Sequence, residues 1–221
     1  MLNQTSARSA VFGHATPPAN ALGAVELMGT QMTFGAGEEI YGEDEPAEFV
    51  YKVVSGAVRT SKILNDGRRQ IGAFYLPGDI FGLEIGKKHQ FAAEAIGKAV
   101  VRVVRRSAIL SLAERDGEAA RELWTLTARE LHRVQEHMLL LIKSAQQRVA
   151  AFLLEMSERH APADDALELP MSRQDIADYL GLTIETVSRT MSQLVSKSTI
   201  DLPSARRIVV RNPGALRHLN A

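Results

Sequence analysis

Glu185, Ser188, Arg189 and Ser192 recur at the three- and four-residue spacing that lines side chains up in one row along a helix. Their chemistry suits base edges. An arginine donates bidentately to guanine O6 and N7, a glutamate accepts from cytosine N4, and a serine serves either base, each good pair giving ~1–3 kcal/mol of discrimination. The solvated face of any amphipathic helix carries such a row too, so the row alone leaves both readings open.

The residues around the row supply a framework for it. Ser172-Arg173-Gln174-Asp175 is an S-x-x-D capping box, which predicts a helix start at about Arg173 with Ile176, Ala177 and Leu180 buried. Gly181 ends that helix in a left-handed turn, and Thr183 then caps a second helix. On the second helix Ile184, Val187, Met191, Leu194 and Val195 form an apolar stripe opposite the polar row. Two helices joined in this way are a helix-turn-helix, with the small Ala177 permitting a close crossing and Val187 locking the pair. Downstream, Thr199–Leu202, a turn at Pro203-Ser204-Ala205, and Arg206–Val210 predict a two-stranded wing that carries arginines toward phosphate. Glu185, Ser188 and Arg189 are therefore the base-reading candidates, and Arg173, Thr183, Thr186 and Arg206 the phosphate-contact candidates.

Charge supports a nucleic-acid partner once it is located. The 221 residues hold 26 Lys+Arg and 26 Asp+Glu, a formal net charge of zero. From Arg189 onward, however, six basic residues stand against Asp201 alone, whereas from Glu155 to Glu185 eight acidic residues stand against two basic ones. The neutral total hides a basic recognition end preceded by an acidic stretch.

Upstream lie the elements that must position this motif. A 45% hydrophobic, 24% charged composition is that of an ordinary globular protein, which excludes disordered and fibrous classes. The absence of cysteine removes disulfides, thiolate metal sites and thiol switches, and no apolar run approaches the ~20 residues of a membrane helix. A soluble cytoplasmic protein with no membrane partner is the expectation. Residues 1–24 read as a flexible arm, and residues 25–106, with short runs such as Phe49–Val54, Ile71–Tyr75 and Val100–Val104 punctuated by glycines, as a β-roll. From Gly117 to His160 there is no proline and no further glycine, so helix can run there with at most one break. Ala120, Trp124, Thr127, Leu131, Val134, Met138 and Leu141 step by alternating fours and threes, a heptad seam that suits a partner helix and predicts a homodimer. Packing of the same seam on the chain's own roll is the competing reading. The expected fold is thus α+β: a jelly-roll-like β-roll, a dimerisation helix region over residues 107–143, and a winged helix-turn-helix domain over residues 144–221.

At Glu185-Thr186-Val187-Ser188-Arg189, preceded by Arg173-Gln174-Asp175-Ile176-Ala177 and Tyr179-Leu180-Gly181-Leu182-Thr183, the chain resembles the CRP/FNR superfamily of bacterial transcription regulators. Pro77-Gly78-Asp79-Ile80-Phe81-Gly82 extends the resemblance into the roll, so that it spans residues 25–212. The E-T-V-S-R block is most similar to the FNR branch, in particular the FixK regulators of rhizobia. The resemblance implies that Glu185, Ser188 and Arg189 read a TTGA-type half-site of an inverted repeat. Ile184 stands where the cyclic-AMP receptor has a further guanine-reading arginine, which argues against a TGTGA-type half-site. It also implies that the turn Asn65-Asp66-Gly67-Arg68-Arg69 is an activating loop, with Asp66, Arg68 and Arg69 as candidates for touching RNA polymerase; the same N-D-G residues equally describe a simple hairpin turn.

The departures from the family pattern bear on regulation. Cyclic-nucleotide-binding relatives carry an F-G-E motif and an Arg-Ser or Arg-Thr pair that grips the phosphate, whereas this chain has Phe81-Gly82-Leu83-Glu84 and then Lys88-His89-Gln90-Phe91-Ala92, without such a pair. Lys87, Lys88 and His89 read as a solvated turn, and His14, His89, His132 and His137 as surface histidines with no spacing that argues for haem. The cysteine cluster by which FNR senses oxygen is excluded outright. The expectation is a regulator that needs no cofactor and is not an enzyme, an activator in low-oxygen or nitrogen-fixation gene control. A ligand-gated regulator of the same fold is the alternative; a cupin-type metal enzyme is remoter, because no H-x-H pair exists.

Overall fold

The computed structural model describes residues 28–84, 86–159 and 166–220. The expected arm at residues 1–24 lies outside them, as do His14 and His160. Eight short strands come first: β1 (Thr30–Phe34), β2 (Glu39–Tyr41), β3 (Phe49–Ser55), β4 (Val58–Ile63), β5 (Arg69–Tyr75), β6 (Ile80–Phe81), β7 (Ala92–Ala95) and β8 (Ala99–Arg105). They form two four-stranded antiparallel sheets, ordered β1-β8-β3-β6 and β2-β7-β4-β5. Alternation explains the roll: Tyr51 and Val53 on β3, Val58 on β4, and Ala99 and Val101 on β8 turn inward to one apolar cluster with Phe81 and Tyr41. Gly56 turns β3 into β4 at φ +80°, where a Cβ would stand 2.4 Å from the Lys98 carbonyl oxygen.

Two helices leave the roll, α1 (Arg106–Arg115) and α2 (Gly117–Leu140), followed by α3 (Ala145–Arg159). Asp116 separates the first two and caps α2 by accepting from the amides of Glu118 and Ala119. Leu123 and Leu126 of α2 pack with Ile109, Val50, Ile80 and Val104 against the roll. The heptad seam faces the other way, leaving Trp124 75%, Leu131 58%, Val134 56% and Met138 61% exposed. Packing of the seam on the chain's own roll is thereby overturned, since the roll takes the Leu123 and Leu126 face instead. Leu141 departs from the seam as well: the helix ends at Leu140, and Leu141 is half-buried, its Cδ2 3.6 Å from where a Cβ on Gly181 would stand.

The C-terminal elements are β9 (Ala166–Glu168), α4 (Arg173–Leu180), α5 (Ile184–Ser196), β10 (Ile200–Asp201), β11 (Arg207–Val210) and α6 (Pro213–Asn220). The wing has three strands rather than the expected two, in the order β10-β11-β9, because Leu167 pairs across from Ile208 and both side chains are buried. A single apolar cluster joins Ile71, Phe74 and Leu76 of the roll to Phe152, Leu153 and Met156 of α3 and to Leu180, Val187 and Leu194 of the helix-turn-helix. Each of those side chains removed from water stabilises by about 1.5–3 kcal/mol, so the roll and the reading domain share part of one core.

Candidate nucleic-acid interface

The capping box forms as expected: Ser172 Oγ accepts from the Asp175 amide at 3.1 Å, and Asp175 Oδ2 accepts from the Ser172 amide at 3.0 Å and hydroxyl at 2.8 Å. Gly181 closes α4 at φ +61° and ψ +40°, the left-handed conformation a glycine adopts without strain. Thr183 then caps α5, its hydroxyl accepting from the Thr186 amide. Val187, Met191 and Leu194 are fully buried beneath α5. Ile184 and Val195, expected in the same stripe, are 36% exposed, and Thr190 is buried in their stead. The buried arc of this helix is narrower than its apolar residues because α5 rests on α4 and α3 along one line only.

On the opposite side Glu185, Ser188, Arg189 and Ser192 all lie exposed. The Glu185 carboxyl sits below its usual range through its own backbone N–H and the Thr183 hydroxyl, so it is an anion at neutral pH. Ser192 donates to the Ser188 carbonyl at 3.0 Å. Among the phosphate candidates, Thr183 and Arg206 are exposed and Thr186 half-exposed, with Arg206 in the wing turn before β11. Arg173 begins α4 half-buried, its guanidinium set against the Met191 sulfur, and desolvation lowers its pKa while leaving it a cation. An exposed row on one helix with hydroxyl and guanidinium groups near its ends is the kind of arrangement by which a helix enters a major groove while flanking groups grip the backbone.

A second set of charges, unseen in the sequence spacing, mounts this unit on the roll. Asp175 Oδ1 accepts from Arg59 Nη1 of β4 at 2.8 Å and from Arg69 Nη2 of β5 at 2.6 Å. Arg69 Nε also reaches Asp178 at 2.8 Å, and Arg59 chelates Glu94 at 3.0 and 3.3 Å. Burial would raise the Asp175 carboxyl, but the Ser172 hydrogen bonds and the two arginines outweigh it and hold it low. Arg69 is therefore not part of an exposed loop, as the sequence suggested. It is committed to the helix-turn-helix, while Asp66 and Arg68 stay exposed at the hairpin tip and pair with each other at 2.7 Å. No fixed sequence interval links residues 59 and 69 to residue 175, so only the contact reveals the clamp.

The roll interior also differs from the expectation of a solvated turn. His89 is fully buried, stacked on Tyr41 with ring centroids 3.6 Å apart, and its Nδ1 lies 3.3 Å from Glu84 Oε1. Tyr51 and Phe81 stack at 5.1 Å beside it, and Tyr75 and Phe81 meet at 4.9 Å. Lys88 bridges Pro46 by backbone pairing, which draws the following histidine inward. His137 is likewise not a surface residue: half-buried on Tyr179 at 4.2 Å, it has a pKa lowered to about 4 by desolvation and the nearby Arg133. The roll residues do not fit the phosphate of a cyclic nucleotide. Arg106, the guanidinium beside this segment, is spent on the carbonyls of Gly82 and Gly86 at 3.0 and 3.1 Å. The same guanidinium also lies 3.9 Å from Glu84 Oε2, so its charge already faces a carboxylate, which disfavours a second anion beside it.

A β-roll of the cyclic-nucleotide-binding type, joined through a long helix to a winged helix-turn-helix, defines a DNA-binding transcription regulator. Residues 31–116 match the family model for a cyclic nucleotide-binding domain, and residues 147–219 that for a Crp-like helix-turn-helix domain. The nitrogen fixation regulation protein FixK of Azorhizobium caulinodans is 50% identical over 202 residues, covering 89% of this chain and 82% of that protein. FixK of Rhizobium meliloti is 43% identical over 201 residues, covering 90% and 92% respectively. The solved structure of FixK2 from Bradyrhizobium japonicum superposes with a TM-score of 0.84 at 56% identity, over 87% of this chain and 97% of that one. The chain belongs to the CRP/FNR family of transcription regulators. No described helix is long and apolar enough to cross a membrane.

Proposed function

We propose that this protein is a FixK-type transcription activator, working as a homodimer on a TTGA-type inverted repeat without an obligatory effector. Its genes are those of nitrogen fixation, the field named by the two FixK relatives, or of low-oxygen growth. The observation that carries the reading is the exposed Glu185, Ser188, Arg189 row on a helix that is capped and buried beneath, and whose partner helix α4 is clamped to the roll. Two such helices related by a dimer axis along Trp124, Thr127, Leu131, Val134 and Met138 would enter successive major grooves one turn apart. Arg173, Thr183, Thr186 and Arg206 would set the register by phosphate contact. An aromatic roll interior around Tyr41, Tyr51 and His89 supports ligand independence. The arm over residues 1–24 and the boundaries near residues 106 and 143 belong to the same proposal.

An electrophoretic shift with purified, effector-free protein tests this reading. A TTGA palindrome shifted specifically against a scrambled duplex is expected. A shift that appears only after cyclic nucleotide or haem is added would instead establish the ligand-gated alternative.

The hairpin tip is proposed to touch RNA polymerase through Asp66 and Arg68, with Arg69 behind them acting through the helix-turn-helix. Asp66→Ala with Arg68→Ala is expected to reduce transcription in vitro several-fold while the duplex affinity stays within about twofold, since these exposed pairs hold little folding energy. Parallel loss of binding and transcription would make the loop a structural turn. Arg69 is left out of that pair because its removal would break its ion pairs with Asp178 and Asp175.

A further inference from the structure

The turn at residues 141–144, between α2 and α3, is where the direction of the seam helix becomes the direction of the DNA-reading pair. Two cations tie that turn to the reading domain. Lys143 Nζ donates to the Asn220 carbonyl at 2.7 Å and to its Oδ1 at 2.9 Å, fastening the turn to the end of α6. Arg148, in the first turn of α3, does more. Its Nε donates to the Lys143 carbonyl at 2.8 Å, and its Nη1 donates to the carbonyls of Leu180 at 2.8 Å and Gly181 at 3.4 Å.

Leu180 ends α4, so its carbonyl has no acceptor role inside that helix and sits at the negative end of the helix dipole. One guanidinium thus satisfies a helix end and an interhelical turn at once. Its planar fork holds fixed directions, unlike the freely rotating ammonium of a lysine. The corner of the helix-turn-helix rests directly on this group, since a Cβ on Gly181 would stand 3.5 Å from Arg148 Nη1 and 3.6 Å from Leu141 Cδ2.

We propose that Arg148 is a positioning residue for DNA reading: it sets the angle between α2 and the α4–α5 pair, and thereby the half-site spacing that a dimer accepts. This rests on the homodimer reading above. A recognition helix on a stiff mount meets its groove at one distance only. Adding one base pair between half-sites moves the second by about 3.4 Å and turns it by about 35° around the duplex, which a stiff mount rejects and a loose one follows.

The test uses the full chain, with fluorescence anisotropy at one salt concentration on inverted repeats of the preferred spacer, one base pair longer and one shorter. A duplex with a single half-site is measured beside them. The wild type is expected to favour its preferred spacer by about thirtyfold. Arg148→Ala should weaken that duplex about tenfold and shrink the spacing ratio to about threefold, with the single half-site held within about twofold. Arg148→Lys keeps the charge but not the fork, so its spacing ratio should fall with that of Arg148→Ala; it decides the matter if the alanine variant fails to fold. Folded variants that retain the wild-type spacing ratio overturn the proposal, as does loss of single-half-site affinity in the same proportion as the repeat. A wild-type protein that binds the repeat no better than the single half-site overturns the homodimer reading itself, whereas one that favours the repeat but is indifferent to spacing overturns the proposal alone.

Discussion

Arg189→Ala is expected to weaken binding to the TTGA-type repeat by about 2–6 kcal/mol per dimer, at least about thirtyfold, while non-specific affinity changes little. The size follows from counting the groove contacts. A guanidinium aimed at a guanine edge supplies ~1–3 kcal/mol of discrimination, and a two-fold dimer carries two of them. Arg189 is exposed on α5, so its loss opens no cavity, and Val187, Met191 and Leu194 continue to seat the helix. The measurement is the ratio of cognate to scrambled duplex affinity at matched salt, together with its salt slope. Arg206→Ala provides the contrast, because loss of one phosphate contact in each protomer should lower both affinities alike and reduce the slope by about two per dimer. An Arg189→Ala protein with unchanged discrimination would sink the assignment of this row to base reading.

Leu131→Glu should turn a micromolar dimer into a monomer. Leu131 is 58% exposed in the single chain, so the substitution costs the isolated fold little. In a two-helix seam it meets its own copy, and each copy then loses ~1.5–3 kcal/mol of apolar burial and brings a carboxylate to desolvate against its like. Dimer dissociation should rise by at least about a hundredfold. Sedimentation equilibrium reads this directly, and circular dichroism should show the helix content preserved. The repeat should then bind no better than a single half-site. A Leu131→Glu protein that still sediments as a dimer would place the interface elsewhere, and a wild-type monomer at micromolar concentration would remove it.

Much of the reading unit was legible because its signals are local. The box at Ser172 and Asp175, the left-handed Gly181 and the cap at Thr183 act within four residues of themselves, so the helices start and stop where the sequence placed them. Periodicity carried the strands of the roll and the heptad seam for the same reason. It failed where burial is decided by what arrives from elsewhere. Ile184 and Val195 lie on the apolar side of α5 but beyond the reach of α4 and α3. His89 reads as a surface residue because its neighbours Lys87, Lys88 and Gln90 are polar, yet the pairing of Lys88 with Pro46 turns it onto Tyr41. The third wing strand was hidden by the prolines and aspartates before it, and it exists because β11 offers an edge to pair with.

The sequence by itself determined a cysteine-free chain with a roll, a heptad seam whose facing it left open, and a capped helix carrying Glu185, Ser188 and Arg189 in one row, since each depends on residues close together along the chain. The tertiary structure alone decided how that helix is held: Arg59 and Arg69 on Asp175, Arg148 beneath Leu180 and Gly181, and a roll interior closed by Tyr41, Tyr51 and His89. Those contacts join residues tens of positions apart, so their partners are chosen by folding rather than by spacing, and charge pairs formed across such distances leave no period to read.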